Sequence, residues 1–197
     1  MVKVGFIVEG DTEKQIVSSE LFKALCRKAG IEVINGIFPT NKRERGKDVF
    51  KNAEKLHSFT QLLHDMGAEY IFCMRDLEDL PCISSAKTEI QNTDETVIKI
   101  IVVKQIETWF LGDVALLKTY FGSNFLELFP EVANPETIIK PSEKLKEISI
   151  ATRNGKGIGD KLLFAKSLLR NGFTIEHSAE NCPSARYFLD KLKSINH

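Results

Sequence analysis

Three acidic positions stand where chemistry is most readily built. Glu9 closes the apolar run Val2–Val8 and is followed by Gly10. Asp76, Glu78 and Asp79 crowd the end of a second apolar run, EYIFCMR at residues 69–75. Glu107 follows a third, Thr96–Val103. In an open parallel sheet, ligands bind beyond the carboxyl ends of the strands. Neighbouring strands lie ~4.8 Å apart, so carboxylates at adjacent ends can converge on one cation. Magnesium suits such a place, because it takes hard oxygen ligands and completes its shell with waters and a substrate phosphate. Crowded carboxylates repel one another unless a divalent cation offsets their charge. Gly10 adds backbone N–H groups at the start of a helix, where a phosphate can be received. Gly10 and Glu13 are therefore the substrate-side residues of that turn. Lys42, Arg43, Arg45 and Lys47 lie in a polar loop and can grip a flanking phosphate backbone. Plainer readings exist: a solvated strand end for Glu9, a helix-dipole partner for Glu13, a turn residue before Pro81 for Asp79, a helix N-terminus for Glu107, a solvated loop for the four bases.

Other chemistries are poorly served. The chain has no G-x-x-x-x-G-K-[ST] loop, no G-x-S-x-G turn and no paired histidines at metal spacing among His57, His64, His177 and His197. The run Gly155-Lys156-Gly157-Ile158-Gly159 follows no strand and reads as a basic loop. Cys26, Cys73, Cys82 and Cys182 form no C-x-x-C pair and read as buried or idle thiols.

The elements that must hold the acids alternate. Val2–Val8, Ile31–Phe38, Glu69–Arg75 and Thr96–Val103 read as strands, and their near-continuous apolar character suits a sheet covered on both faces. Asp11–Ala29, Asp48–Met66 and Gln105–Phe121 read as helices, the first capped by Asp11 and closed by Gly30, the last broken near Gly112-Asp113. Pro81–Gln91 is a loop with helical character. Beyond Gly122 only helices are expected, over Glu136–Ile150, Gly159–Leu169 and Pro183–Ile195. The pattern predicts a three-layer α/β/α fold with a mostly parallel four-stranded sheet. We read 1–197 as one domain, an α/β core over 1–121 with a helical extension over 122–197 packed on it.

Composition narrows the class. The chain has 197 residues, of which 43% are hydrophobic and 27% charged, which excludes disorder and a disulfide scaffold. No apolar stretch reaches the ~20 residues of a membrane helix, and the N-terminus lacks a signal-peptide pattern, so a cytoplasmic protein is expected. Net charge is zero, which argues against holding nucleic acid by bulk electrostatics alone. The charge is uneven: residues 76–95 hold six acids and one base, and residues 140–170 hold eight bases and three acids.

The segment FIVEGDTEKQIV (6–17) resembles the first motif of Toprim-type domains, a strand, then Glu-Gly, then a helix. YIFCMRDLED (70–79) resembles their Asp-x-Asp strand, with Glu78 in the second acidic place. VKQIETWFLGD (103–113) and CPSARYFLDKL (182–192) are similar to the Toprim-like family called domain of unknown function 4276, related to OLD-type Toprim nucleases. Ala185 stands where that resemblance leads one to expect a bulky aromatic. The resemblance implies a magnesium- or manganese-dependent nuclease or phosphoryl-transfer protein acting on nucleic acid, with a place in a defence module and a partner protein from a neighbouring gene left open. It implies Glu9 as general acid/base and Asp76 and Glu78 as metal ligands with Asp79 as the substitute for Glu78; Glu107, from its place after the fourth strand, is an additional candidate site acid. The alternative is a Toprim-like protein that binds a nucleotide or partner without catalysis. A receiver-like domain, with Glu9 and Asp11 as acid pair and Lys104 as the strand-end lysine, is disfavoured by the helical tail and the Trp109 motif. Glu9, Asp76 and Glu107 are expected at one sheet edge, and Trp109 is expected to be buried.

Overall fold

A computed structural model describes residues 1–40, 46, 48–91, 94–122, 125–152 and 155–196. The chain divides into two compact units, Met1–Ile101 with Asp190–His197, and Val102–Leu189. Among the described residues, no helix is long and apolar enough to cross a membrane.

The sheet comprises β1 (Val2–Val8), β2 (Ile31–Phe38), β3 (Tyr70–Asp76) and β4 (Val97–Val102), all parallel, in the order β2-β1-β3-β4. Its connections in the first unit carry α1 (Asp11–Ser18), α2 (Glu20–Lys28), α3 (Asp48–Lys51), α4 (Ala53–Asp65) and α5 (Ile83–Glu89). The expected three-layer α/β/α architecture is the one observed. Val4, Phe6, Ile7, Val8 and Ile71 through Met74 are fully buried, as continuous apolar strands require when both faces are covered. The covers can be assigned from alternation along β1. Phe6 meets Phe22 of α2, ring centroids 5.7 Å apart. The adjacent Gly5 faces α4 instead: a Cβ there would lie 2.7 Å from Leu63 Cδ2, and one on Gly36 of β2 would lie 2.9 Å from it. Glycine on two neighbouring strands is what lets α4 approach this closely.

β1 and β3 pair without interruption from Val4↔Tyr70 to Val8↔Met74. β1 and β2 do not. Between Val4↔Val33 and Phe6↔Ile37 the outer strand carries two additional residues, so β2 bulges at 34–36.

Two expected helices are each split by a polar residue. Ser19 takes an extended conformation and its Oγ accepts from Phe22 N at 3.2 Å, ending α1 and capping α2. Asn52 does the same between α3 and α4, accepting from Lys55 N at 2.9 Å. Asp11 is not the cap of α1 but its first residue, and Gly10 is the cap.

The second unit carries α6 (Glu107–Gly112), α7 (Val114–Phe121), α8 (Phe125–Leu128), 3₁₀ turns at Pro130–Ala133 and Pro135–Thr137, α9 (Pro141–Thr152), α10 (Lys161–Arg170), α11 (Ile175–Asn181) and the start of α12 (Pro183–Ser194). The expected helix from Glu136 begins only at Pro141, because the residue before a proline is turned away from helical backbone. The break near Gly112 is made by Asp113, which caps α7. Trp109 is fully buried. Its ring stacks on Phe188, with centroids 5.5 Å apart, and its Nε1 donates to Ser184 Oγ at 2.9 Å. Trp109→Ala should therefore cost about 3–5 kcal/mol, as other aromatic-to-alanine core changes do. Trp109→Phe should cost clearly less, because it keeps the stack. Urea unfolding followed by far-ultraviolet circular dichroism measures both, and an alanine variant as stable as the parent would contradict this placement.

Candidate functional site

The site begins with two strand ends that leave the sheet together. One residue beyond the last β1–β3 pair, Glu9 N still donates to Met74 O at 3.1 Å. The side chain of Glu9 then turns across: its Oε2 accepts from Asp76 N at 3.1 Å. The carbonyl of Glu9 accepts from Gly46 N at 2.9 Å, which ties the loop after β2 to the same point. Glu9 and Asp76, expected at one edge of one sheet, are in contact there. Both are half-buried.

Beyond Asp76 the chain makes a turn in which Leu80 N donates to Leu77 O at 3.1 Å. Leu77 is buried, Glu78 half-buried and Asp79 exposed. Glu78 adopts φ 48°, a left-handed backbone that is uncommon outside glycine, asparagine and aspartate. Among the described residues, no three histidine, cysteine, aspartate or glutamate side chains are gathered as a metal set. Glu9 and Asp76 are joined by the bond from the Asp76 main-chain amide to the Glu9 carboxylate.

Gly10 opens α1, and Lys14 N donates to its carbonyl at 3.3 Å. Glu13 is 3% exposed, and its Oε2 lies where a side chain at residue 10 would need room: a Cβ on Gly10 would sit 3.0 Å from it. Glu13 thus packs its carboxylate against the first turn, where the helix dipole favours negative charge. Lys42, Arg43, Arg45 and Lys47 lie outside the described residues.

Glu107 belongs to the second unit. It opens α6, its side chain is 12% exposed, and Lys161 Nζ stands 3.4 Å from its Oε1. Lys161 is the first residue of α10, whose cap is Asp160.

The residues that distinguish the 103–113 and 182–192 motifs are architectural. Asp113 is fully buried; its Oδ1 accepts from Leu116 N at 3.0 Å and its Oδ2 from Thr174 N at 3.1 Å. Ser184 accepts from the indole, and its own N–H donates to Glu136 Oε1 at 2.7 Å. Arg186 donates to the carbonyls of Ala179 and Glu180. Cys182 is buried, its thiol pushed up to about 12 chiefly by desolvation, and burial raises Cys73 to about 12 as well. Cys82 is the one of the four that is not buried. It is exposed at the start of α5, and hydrogen bonds from Ser85 hold its pKa below the usual thiol value.

Sequence reasoning passed over Arg75. It lies between Met74 and Asp76, is 1% exposed, and donates from Nη1 to Glu89 Oε2 at 2.8 Å. Its guanidinium lies 5.9 Å from the centre of the Phe50 ring, and Lys51 Nζ is 3.4 Å from the same Glu89 oxygen. The one signal available was an arginine inside an otherwise apolar strand.

The sequence profile of the family described as "Domain of unknown function (DUF4276)" matches residues 8–193. The chain belongs to that family. The match takes in both strand-end acids and the Trp109 and Ser184 motifs. No curated protein and no solved structure matches the chain.

Arg75 holds the carboxyl of Glu89 below its ordinary range, mainly through their hydrogen bond. A carboxyl lowered in the folded state contributes stability above its unfolded pKa, about 4.3 for glutamate, and loses that contribution as pH falls through the folded value. Glu89→Gln should lower the melting temperature at pH 7, and its gap from the parent should shrink steadily below about pH 4.3. Thermal melts across pH 3–8 test this; a gap constant with pH would mean that the ion pair is not its source.

Proposed function

We propose that the chain is a divalent-metal-dependent phosphodiesterase or phosphoryl-transfer protein acting on nucleic acid, a Toprim-like member of its family. The observation that carries the reading is the contact of Glu9 Oε2 with Asp76 N, which unites the acids of two adjacent parallel strand ends. It is supported by the resemblance of residues 6–17 and 70–79 to the Toprim motifs. Carboxylates carried on two adjacent strand ends fit magnesium, which is commonly held by one or two carboxylates with waters and phosphate oxygens completing its shell. Asp76 and Glu78 would hold it, with Asp79 as the nearest substitute. A metal held there would supply positive charge against the negative charge that displacement at phosphorus builds on the attacking and leaving oxygens.

The chain's own groups do the rest. Glu9, steered by the amide of Asp76, is the group that accepts or returns a proton at a substrate oxygen. The N–H groups at the start of α1, beginning at Gly10, face a phosphate with the positive end of the helix. The left-handed backbone at Glu78 sets the direction in which its side chain leaves the turn. Such conformations cost roughly 1–3 kcal/mol and gather at functional sites.

Plasmid nicking and cleavage of short RNA, with Mg²⁺, with Mn²⁺ and with chelator, test the activity. Glu9→Gln should keep the fold and metal binding and lose about 10²–10⁴-fold in rate, because an amide cannot shuttle the proton. Asp76→Ala should lose metal binding measured by calorimetry. Glu78→Gly separates backbone from carboxylate: it relaxes the left-handed position, so its melting temperature should hold or rise while turnover falls. Full turnover in Glu78→Gly would transfer the ligand role to Asp79. Metal binding with no turnover on any substrate would instead establish the non-catalytic alternative, a protein that binds a nucleotide or a partner.

A further inference from the structure

We propose that a single strand of nucleic acid reaches the strand-end site along the groove between α1, α2 and the outer strand β2, with its backbone phosphates on Lys14 and Lys23. The inference rests on the phosphodiester reading and adds the path of the substrate. The groove encloses about 190 Å³ and is lined by Lys14, Ser18, Lys23, Asn35, Val33 and Ile37 among others. Among the described residues its lining holds two cations and no carboxylate.

Lys14 is the deciding residue. It is half-buried and makes no ion pair among the described residues. A lysine whose stem is packed in the groove and whose charge has no counter-ion beside it offers an anion a foothold. Lys23 pairs at 3.5 Å with Glu20, whose side chain is 80% exposed, and so exposed a partner is easily exchanged. Lys14 also stands one helical turn from the site, since its N–H bonds the carbonyl of Gly10, the residue after Glu9. A chain bound at Lys14 is thereby delivered to the strand ends.

Size and lining select the ligand. Whole small molecules occupy pockets of ~300–1,000 Å³, so this recess takes one segment of a longer chain. The partly exposed Val33 and Ile37 offer an apolar floor to sugar carbons, and Asn35 offers amide hydrogen bonds. A duplex presents its phosphates on a broad convex surface that a recess this narrow does not admit.

The test is fluorescence anisotropy with a short fluorescein-labelled oligothymidylate, in chelator so that nothing is cut, over a range of salt. Lys14→Gln and Lys23→Gln should each weaken binding and reduce the slope of log K against log salt by about 0.7, the value for one phosphate contact on a single strand. The double variant should lose about twice that, Lys118→Gln on α7 should bind as the parent does, and a duplex of the same length should bind more weakly. Overlaid melting curves show that the variants fold. Slopes unchanged in both variants, an equal loss in Lys118→Gln, or preferred binding of duplex would each overturn the path. Lys14-dependent binding without turnover in the nicking assay would sustain the groove while removing the hydrolytic reading, so the two failures are distinguishable.

Discussion

The parallel pairing of β1 with β3 is the constraint on which the candidate site depends. Its register runs unbroken to Val8↔Met74, and the bond from Glu9 N to Met74 O carries it one residue further. That extension brings the amide of Asp76 within reach of the Glu9 carboxylate. It also leaves the Glu9 carbonyl open to the loop after β2, which docks on it through Gly46 N. Three connections are thus gathered around one residue, two of them by its main chain. The main-chain bonds do not need the carboxylate, so the position can keep its place in the fold with a different side chain. Arg75 contributes from below. Its buried guanidinium, held by Glu89 and lying over Phe50, fixes the residue whose carbonyl carbon carries the Asp76 amide.

A carboxylate's surroundings separate the acids that hold the structure together from those available to a ligand. Asp113 is fully buried with both oxygens accepting main-chain N–H groups, which makes it a helix cap and a tie to Thr174. Such a cap contributes about 1 kcal/mol, and its burial closes it to solvent and ligand alike. Glu107 is nearly as hidden and faces Lys161. Asp76 and Glu9 differ from Asp113 in being half-buried, as Glu107 is, and from Glu107 in standing at the ends of paired strands. The motif around Trp109 therefore serves the architecture of the second unit, whereas the Glu-Gly and Asp-x-Glu segments lie at the ends of paired strands.

Strands were legible because burial on both faces leaves an unbroken apolar run, and all four were placed within one residue of their observed ends. Of the helix interruptions, only the one at Gly112-Asp113 was legible. The apolar stripe of α1 and α2 continues through Ser19, and that of α3 and α4 through Asn52, so periodicity alone shows one helix where a side-chain cap makes two. The short α11 carries too few apolar residues to announce itself, and its cap at Thr174 is the feature that marks it. In the site, acids at strand ends were readable from the chain, since topology converts a strand's last residue into a location. Arg75 was not readable, because its meaning depends on Glu89, fourteen residues away across a helix. Neither was the burial of Glu13, which follows from how closely Gly10 lets its carboxylate approach.

Local pairing, rather than composition, decides where an anion would be drawn. Residues 140–170 carry an excess of base in the sequence, yet several of these lysines already face carboxylates. Lys140 meets Glu143, Lys144 meets Glu131 and Glu147, and Lys161 meets Glu107. The proton on Lys144 is held more tightly than usual, first by Glu147 and then by Glu131. A cation so neutralised adds little to the field outside the protein. Lys14 sits in a segment that shows no basic bias, where Asp11 and Glu13 precede it. It is nonetheless half-buried and faces a groove whose described lining residues include no acid. A chain of zero net charge can therefore still present a polyanion with a defined foothold, because attraction at close range depends on which charges lack a neighbour of opposite sign.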